Sequence, residues 1–242
     1  MRLTKILKAT ISKDPSIEGS NEDSVVLRLR GDVQRAAVFD GASESFAARK
    51  WSRILADEWG RGSEVSPIWL ENAQLRYKEQ LSGLNLSWAQ EAAMERGSFS
   101  TIASVEVRDR ILDLCIVGDS SIFFIDSWGL KASYPFQSES QFTSAPTALS
   151  SREDFGRQNR DSLHSGRRKC PFVDAKGGRM VLLATDAVSC WLLSDDILLH
   201  LQRLHQLLSC KTSNEFRQLV IEERKTNAMK IDDSTIVLLG LD

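Results

Sequence analysis

The chain has no Cys-x-x-Cys pair. Its four cysteines, Cys115, Cys170, Cys190 and Cys210, are scattered, which argues against a zinc centre of the finger type. Histidine is scarce: only His164, His200 and His205 occur. His200 and His205 are five apart on an expected helix, so they do not share a face. No histidine lies near an acidic cluster in sequence, and all three read as surface or satisfied helix residues. No apolar run is long enough to span a bilayer, and Met1-Arg2-Leu3-Thr4-Lys5-Ile6-Leu7-Lys8 lacks the apolar core of a signal peptide. Neither sign of charge prevails: 31 Lys+Arg against 33 Asp+Glu exert no pull toward nucleic acid or an anionic membrane. The tryptophans lack basic surroundings, which argues against a base-stacking platform. Internal repeats and low-complexity tails are absent. These absences predict a cytoplasmic protein with four reduced thiols and no nucleic-acid or membrane partner.

What is present fits one domain over residues 1–242. Lys5 to Ile11 and Ser24 to Arg30 are β-rich runs that can pair, separated by a turn-rich loop. Arg35 to Phe39 is a third strand. Helical spacing then takes over through Phe46, Trp51, Ile54, Leu55 and Trp59. Pro67 suits the first turn of a second helix, and Trp88 to Arg96 reads as a shorter third. Thr101 to Arg108, Ile111 to Val117 and Ser121 to Asp126 form a meander pattern with tight turns. From Ser127 to Lys176 the pattern dissolves into an irregular, flap-like insert, within which Arg167-Arg168-Lys169 reads as a solvated loop. Arg179 to Thr185 is a strand, Trp191 to Leu208 and Asn214 to Arg224 are helices, and Ser234 to Leu241 is a final buried strand. Trp51, Trp59, Trp69, Trp88 and Trp191 are expected as core or interface anchors, and Cys115 as core. Strands in two groups with intervening helices predict an α+β layered sandwich.

Against this background the acids stand out. Ala36-Ala37-Val38-Phe39 runs into Asp40-Gly41, and Met180-Val181-Leu182-Leu183-Ala184-Thr185 runs into Asp186. Asp232-Asp233 precedes Ser234-Thr235-Ile236-Val237-Leu238-Leu239, and Glu22-Asp23 precedes the second strand. Carboxylates at the ends of buried strands need cations or protons, because unpaired charge at a core edge is costly. Oxygen ligands select magnesium or manganese over zinc. Each acid also has a plain reading: Asp40-Gly41 as a turn, Asp186 as a helix cap, Asp232-Asp233 and Glu22-Asp23 as solvated loop.

Six segments in order carry a resemblance: Asn21-Glu22-Asp23-Ser24, Val38-Phe39-Asp40-Gly41, Phe99-Ser100-Thr101-Ile102-Ala103, Val117-Gly118-Asp119-Ser120, Leu183-Ala184-Thr185-Asp186 and Asp232-Asp233-Ser234-Thr235-Ile236-Val237. Together, over nearly the whole chain, they resemble the metal-dependent protein phosphatases of type 2C (PPM). The resemblance implies two packed antiparallel β-sheets flanked by helices, a four-layer α-β-β-α sandwich, with two or three Mg2+ or Mn2+ ions in a cleft at one end. It implies that Asp40 bridges two metals, with the Gly41 carbonyl as a further ligand. Asp186 and Asp232 complete one ion, and Glu22 and Asp23 serve the other, directly or through water. Asp119 contacts a third, looser ion, and Asp233 supports the ligands from behind. The implied activity is hydrolysis of phosphoserine or phosphothreonine in a protein by metal-activated water, with Asp40, Asp186 and Asp232 catalytic through that water. The implied partners are a phosphorylated protein substrate and a cognate serine/threonine kinase.

Three places depart from the family pattern. Ile17-Glu18-Gly19-Ser20 stands where many relatives carry a phosphate-gripping arginine, and Lys13 is the nearest cation. Ala42-Ser43-Glu44 follows Asp40-Gly41 where some relatives have histidine. Cys190 stands where the family often repeats an aspartate, which weakens the third metal site. These departures keep a second reading open: a catalytically weak phosphatase-fold module that docks on a kinase or phosphorylated partner.

Overall fold

The computed structural model describes residues 2–17, 19–62, 64–109, 111–142, 146–171 and 180–241. Two five-stranded antiparallel sheets carry the fold. The first runs in the order β1 (Leu3–Ile11), β12 (Ser234–Leu241), β11 (Met180–Ala184), β7 (Ser121–Asp126) and β8 (Gly129–Tyr134). The second runs β10 (Arg167–Pro171), β6 (Ile111–Val117), β5 (Ile102–Arg108), β3 (Gln34–Phe39) and β2 (Ser24–Arg28). A short pair, β4 (Phe99–Ser100) with β9 (Leu149–Ser150), stands apart.

The inner strands are buried on both faces, which is why they read as unbroken apolar runs. Alternate residues divide between two cores, as strand geometry requires. Ala36 and Val38 of β3 pack with Val181, Leu183, Val237 and Leu239 between the sheets. Ala37 and Phe39 face the other way, onto Trp51, Trp59 and Trp69 of α1 (Ala48–Gly60) and α2 (Pro67–Leu81). Leu182, Ala184, Ile236 and Leu238 face outward from the first sheet. They meet Trp191, Leu204 and Phe216 of α5 (Asp186–Leu192), α6 (Ile197–Ser209) and α7 (Ser213–Lys225). The result is the four-layer α-β-β-α sandwich. α2 begins as Pro67 predicts, with the Ser66 hydroxyl accepting from the Trp69 amide at 3.2 Å.

Several elements differ from the sequence reading. β1 and β2 do not pair; β1 pairs with β12 and β2 with β3. The expected helix from Trp191 to Leu208 is two helices, because the Asp196 carboxylate caps the amides of Leu198 and Leu199 and starts α6 afresh. Within 127–176 the described residues hold β8, β9, α4 (Gly156–Gly166) and β10. Residues 143–145 and 172–176 of that stretch lie outside the described residues, as does Glu18. Arg167-Arg168-Lys169 is strand, paired with β6 at the sheet edge. Trp51, Trp59, Trp69 and Trp191 are buried, but Trp88 is 84% exposed, because α3 (Trp88–Arg96) buries no residue.

Candidate active site

Strand register brings the acids to one end of the sandwich. Ser24 pairs with Phe39, so Asp23 and Asp40 follow each other out of neighbouring strands. Ala184 pairs with Ser121 on one side and Ile236 on the other, which carries Asp186 toward the Asp119 turn and toward Asp232-Asp233. Ile11 pairs with Ser234, so Lys13 arrives beside the same acids. Asp40, Gly41, Asp119, Asp186 and Asp232 line one cavity of about 680 Å³, together with Lys230 and Arg96. Glu22 and Asp23 are not part of this lining. A shallow depression of about 720 Å³ over α4, lined by Asp154, Arg157 and Asp161 among others, shares none of these acids.

Two glycines permit the arrangement. A Cβ on Gly41 would lie 2.9 Å from the Glu22 carbonyl oxygen and 3.0 Å from that of Ala48, so only glycine lets these backbones meet. Gly118 has φ +98°, and its Cβ would lie 2.5 Å from Thr101 Cγ2. Behind the acids, Asp233 is 3% exposed. Its carboxylate accepts from the Lys13 amide at 2.7 Å and the Glu22 amide at 2.5 Å, so it ties the loop carrying Glu22 and Asp23 to the start of β12. Arg224 of α7 donates to the carbonyls of Ser12 and Asp232 and to the Ser234 hydroxyl, clamping the same junction. Thr185 Oγ1 donates to Asp23 Oδ2 at 3.3 Å.

Electrostatically the site is strained. Burial, then the charges of Asp23, Asp186, Asp119 and Asp232, push the Asp40 carboxyl well above the usual range. Asp23 is pushed up in the same way, by burial first and then by Asp233 and Asp186. Burial and Asp186 push Asp119 up to about 7. Asp233 is raised too, chiefly by burial, although its two amide donors oppose this. Two lysines offset part of the charge. Lys230 Nζ lies 3.0 Å from Asp186 Oδ2 and 2.7 Å from Asp232 Oδ2. Lys13 Nζ lies 2.8 Å from Glu22 Oε2. Lys230 is held ionised by Asp186 and Asp232 despite the opposing effect of burial.

Among the described residues, no three His, Cys, Asp or Glu side chains are grouped closely enough to hold a cation as they stand. The donors nonetheless suit a hard divalent ion. They are oxygens converging from both sheets, and the buried Asp23 Oδ1 has no hydrogen-bond partner. Cys190 adds no charge, since burial pushes its thiol up to about 11. His200 is a satisfied core residue, its Nδ1 2.7 Å from the Leu192 carbonyl. The sequence reading placed the acids at strand ends but missed Lys230, Arg224 and Arg96. For Lys230 the available signal was its place two residues before Asp232.

No family model and no curated protein matches the chain. Solved structures do. The serine/threonine phosphatase PstP/Ppp of Mycobacterium tuberculosis is similar at 18% identity over 100% of both chains, with a TM-score of 0.60. The serine/threonine phosphatase Stp1 of Staphylococcus aureus is similar at 17% identity over 100% of this chain and 98% of its own, TM-score 0.60. A PstP catalytic domain in complex with two manganese ions is similar at 16% identity over 99% of this chain and 98% of its own, TM-score 0.59. At such identity the likeness establishes the fold: this chain has the sandwich of these phosphatases from end to end. No helix among the described residues is long and apolar enough to cross a membrane.

Proposed function

We propose that this chain is a metal-dependent phosphatase acting on phosphoserine and phosphothreonine in proteins. The observation that carries the reading is the convergence of Asp40, Asp119, Asp186 and Asp232 on one cavity from strand ends of both sheets. The fold shared with serine/threonine phosphatases supports it. Two Mg2+ or Mn2+ ions would be held by Asp40 with Asp186 and Asp232, and by Asp40 with Glu22, Asp23 and the Gly41 carbonyl. Asp119 would face a third, weaker one. When bound, such ions supply a water of lowered pKa and positive charge for the phosphoryl oxygens.

The chain's own residues do the rest. Asp233 and Arg224 fix the loops that carry the acids. Arg96 and Lys230 place positive charge on the cavity wall, where a phosphate monoester brings negative charge. The carboxylates repel that substrate until cations neutralise them, so turnover is expected to need added metal. A serine/threonine kinase carrying its own phosphates is the first protein substrate to try. The test is hydrolysis of phosphothreonine and phosphotyrosine peptides with Mn2+ and with EDTA. Mn2+-dependent release of phosphate from the phosphothreonine peptide, lost in EDTA, is the expected result; equal rates in EDTA would refute the metal dependence. The pairing of Lys13 and Lys230 with the acids favours a second reading, a phosphatase-fold module that binds a phosphorylated partner without turnover. Affinity for the phosphopeptide with no phosphate released at any Mn2+ concentration would select it.

A further inference from the structure

Lys230 lies on the acid cluster as a bound cation would. Its ammonium bridges two carboxylates at once, through Asp186 Oδ2 and Asp232 Oδ2. Those acids come from different elements, the start of α5 and the turn before β12. Lys230 reaches both because the chain folds back at this point: the Asp232 amide donates to the Lys230 carbonyl at 3.1 Å. The side chain is 61% exposed, whereas Asp186 and Asp232 are 17% and 23% exposed. The ammonium is thus delivered from solvent onto recessed acids by a stem that stays at the rim. Lys13 is different, since it touches one acid, Glu22, and shares its ammonium with the Ser43 hydroxyl.

We propose that Lys230 is a built-in cation that takes the place of one divalent ion between Asp186 and Asp232. The inference rests on reading these acids as metal donors. The other oxygen of each acid already accepts a backbone amide, from Ala187 on Asp186 and from Asp233 on Asp232. A Mg2+ ion at about 2.0–2.1 Å from the two Oδ2 atoms would lie against the ammonium, and two cations repel at that range. An ion entering there must displace Lys230 and break two charge-assisted hydrogen bonds. By contrast, Asp23 Oδ1 is buried without a partner and out of any ion pair. On that side a lysine engages one acid only, Lys13 with Glu22, so an ion held there by Asp40 and Asp23 meets less competition than one between Asp186 and Asp232. The chain therefore takes one divalent ion more readily than a second, which must displace Lys230 from two acids.

Calorimetric titration of the full chain with MnCl2 tests this, using wild type, Lys230→Met and Lys230→Gln. Two exposed-site substitutions guard against a folding defect in either one, and unfolding in EDTA is followed alongside. The expected result is one tight Mn2+ and one weak Mn2+ in wild type, with the weak one tightened about tenfold or more in both variants, the scale on which groups that hold metal ligands act. Both variants are also expected to unfold more easily in EDTA and to regain stability on adding Mn2+. Identical stoichiometry and affinities in all three proteins would overturn the inference while leaving the metal site intact. Failure of all three to bind Mn2+ would overturn the proposed function, and this inference with it.

Discussion

Replacing Asp119 by asparagine should make the metal-free protein more stable at alkaline pH. Asp119 sits in the turn between β6 and β7, 5% exposed. Burial, followed by the charge of Asp186, raises it from 3.8 to about 7. The folded chain therefore holds this proton over a range where the unfolded chain has lost it. Stability is full below about pH 4, falls as pH rises, and levels off once the folded group ionises near neutrality. At 1.36 kcal/mol per pKa unit, the rise is worth about 4 kcal/mol. That is a ceiling, because water reaches the cavity and screens part of the repulsion. Asparagine keeps the shape and cannot ionise. Urea unfolding followed by circular dichroism in EDTA, at pH 4 and pH 8, reads the difference. Asp119→Asn should match wild type at pH 4 and exceed it at pH 8 by up to about 4 kcal/mol. For a chain of this size that is roughly 2–4 °C of Tm per kcal/mol. A variant no more stable than wild type at pH 8, or one with an unchanged pH slope, would refute the reasoning.

Further outcomes follow from the supports of the site. Asp233→Ala removes the acceptor for the Lys13 and Glu22 amides; a loss of about 3 kcal/mol is expected in urea unfolding, with weaker Mn2+ binding in calorimetry. Gly118→Ala forces a Cβ against Thr101 at φ +98°. It should cost about 1–3 kcal/mol, read as a lowered Tm, and a neutral effect would show that the turn can shift freely.

The central strands and their acids were legible because they bury both faces. Ala36 to Phe39, Met180 to Ala184 and Ile236 to Leu239 have no polar residue to break the run, and each lies within three residues of a carboxylate at the same end of the sandwich. Edge strands carry no such signal. β10 is Arg-Arg-Lys-Cys-Pro, a composition that suits a sheet edge but is indistinguishable from loop by periodicity. Helix α5 was misplaced because the apolar spacing of Trp191 and Leu192 continues into α6, hiding the cap at Asp196. Pairing of β1 with β12, across more than two hundred residues, leaves no local trace. Lys230 was overlooked for a similar reason: a lysine before an acidic pair reads as a solvated turn, and only the approach of Asp186 from another element gives it two partners.

The most direct test compares Asp40→Asn with wild type in Mn2+-dependent hydrolysis of a phosphothreonine peptide. Asp40 is the acid most crowded by its neighbours, with Asp23, Asp186, Asp119 and Asp232 all acting on it, and asparagine removes its charge at nearly constant shape. The account predicts turnover in wild type that rises with Mn2+ and falls at least about a hundredfold in the variant, roughly 2.7 kcal/mol of lost transition-state stabilisation. An Asp40→Asn protein that hydrolyses the peptide at the wild-type rate would contradict it.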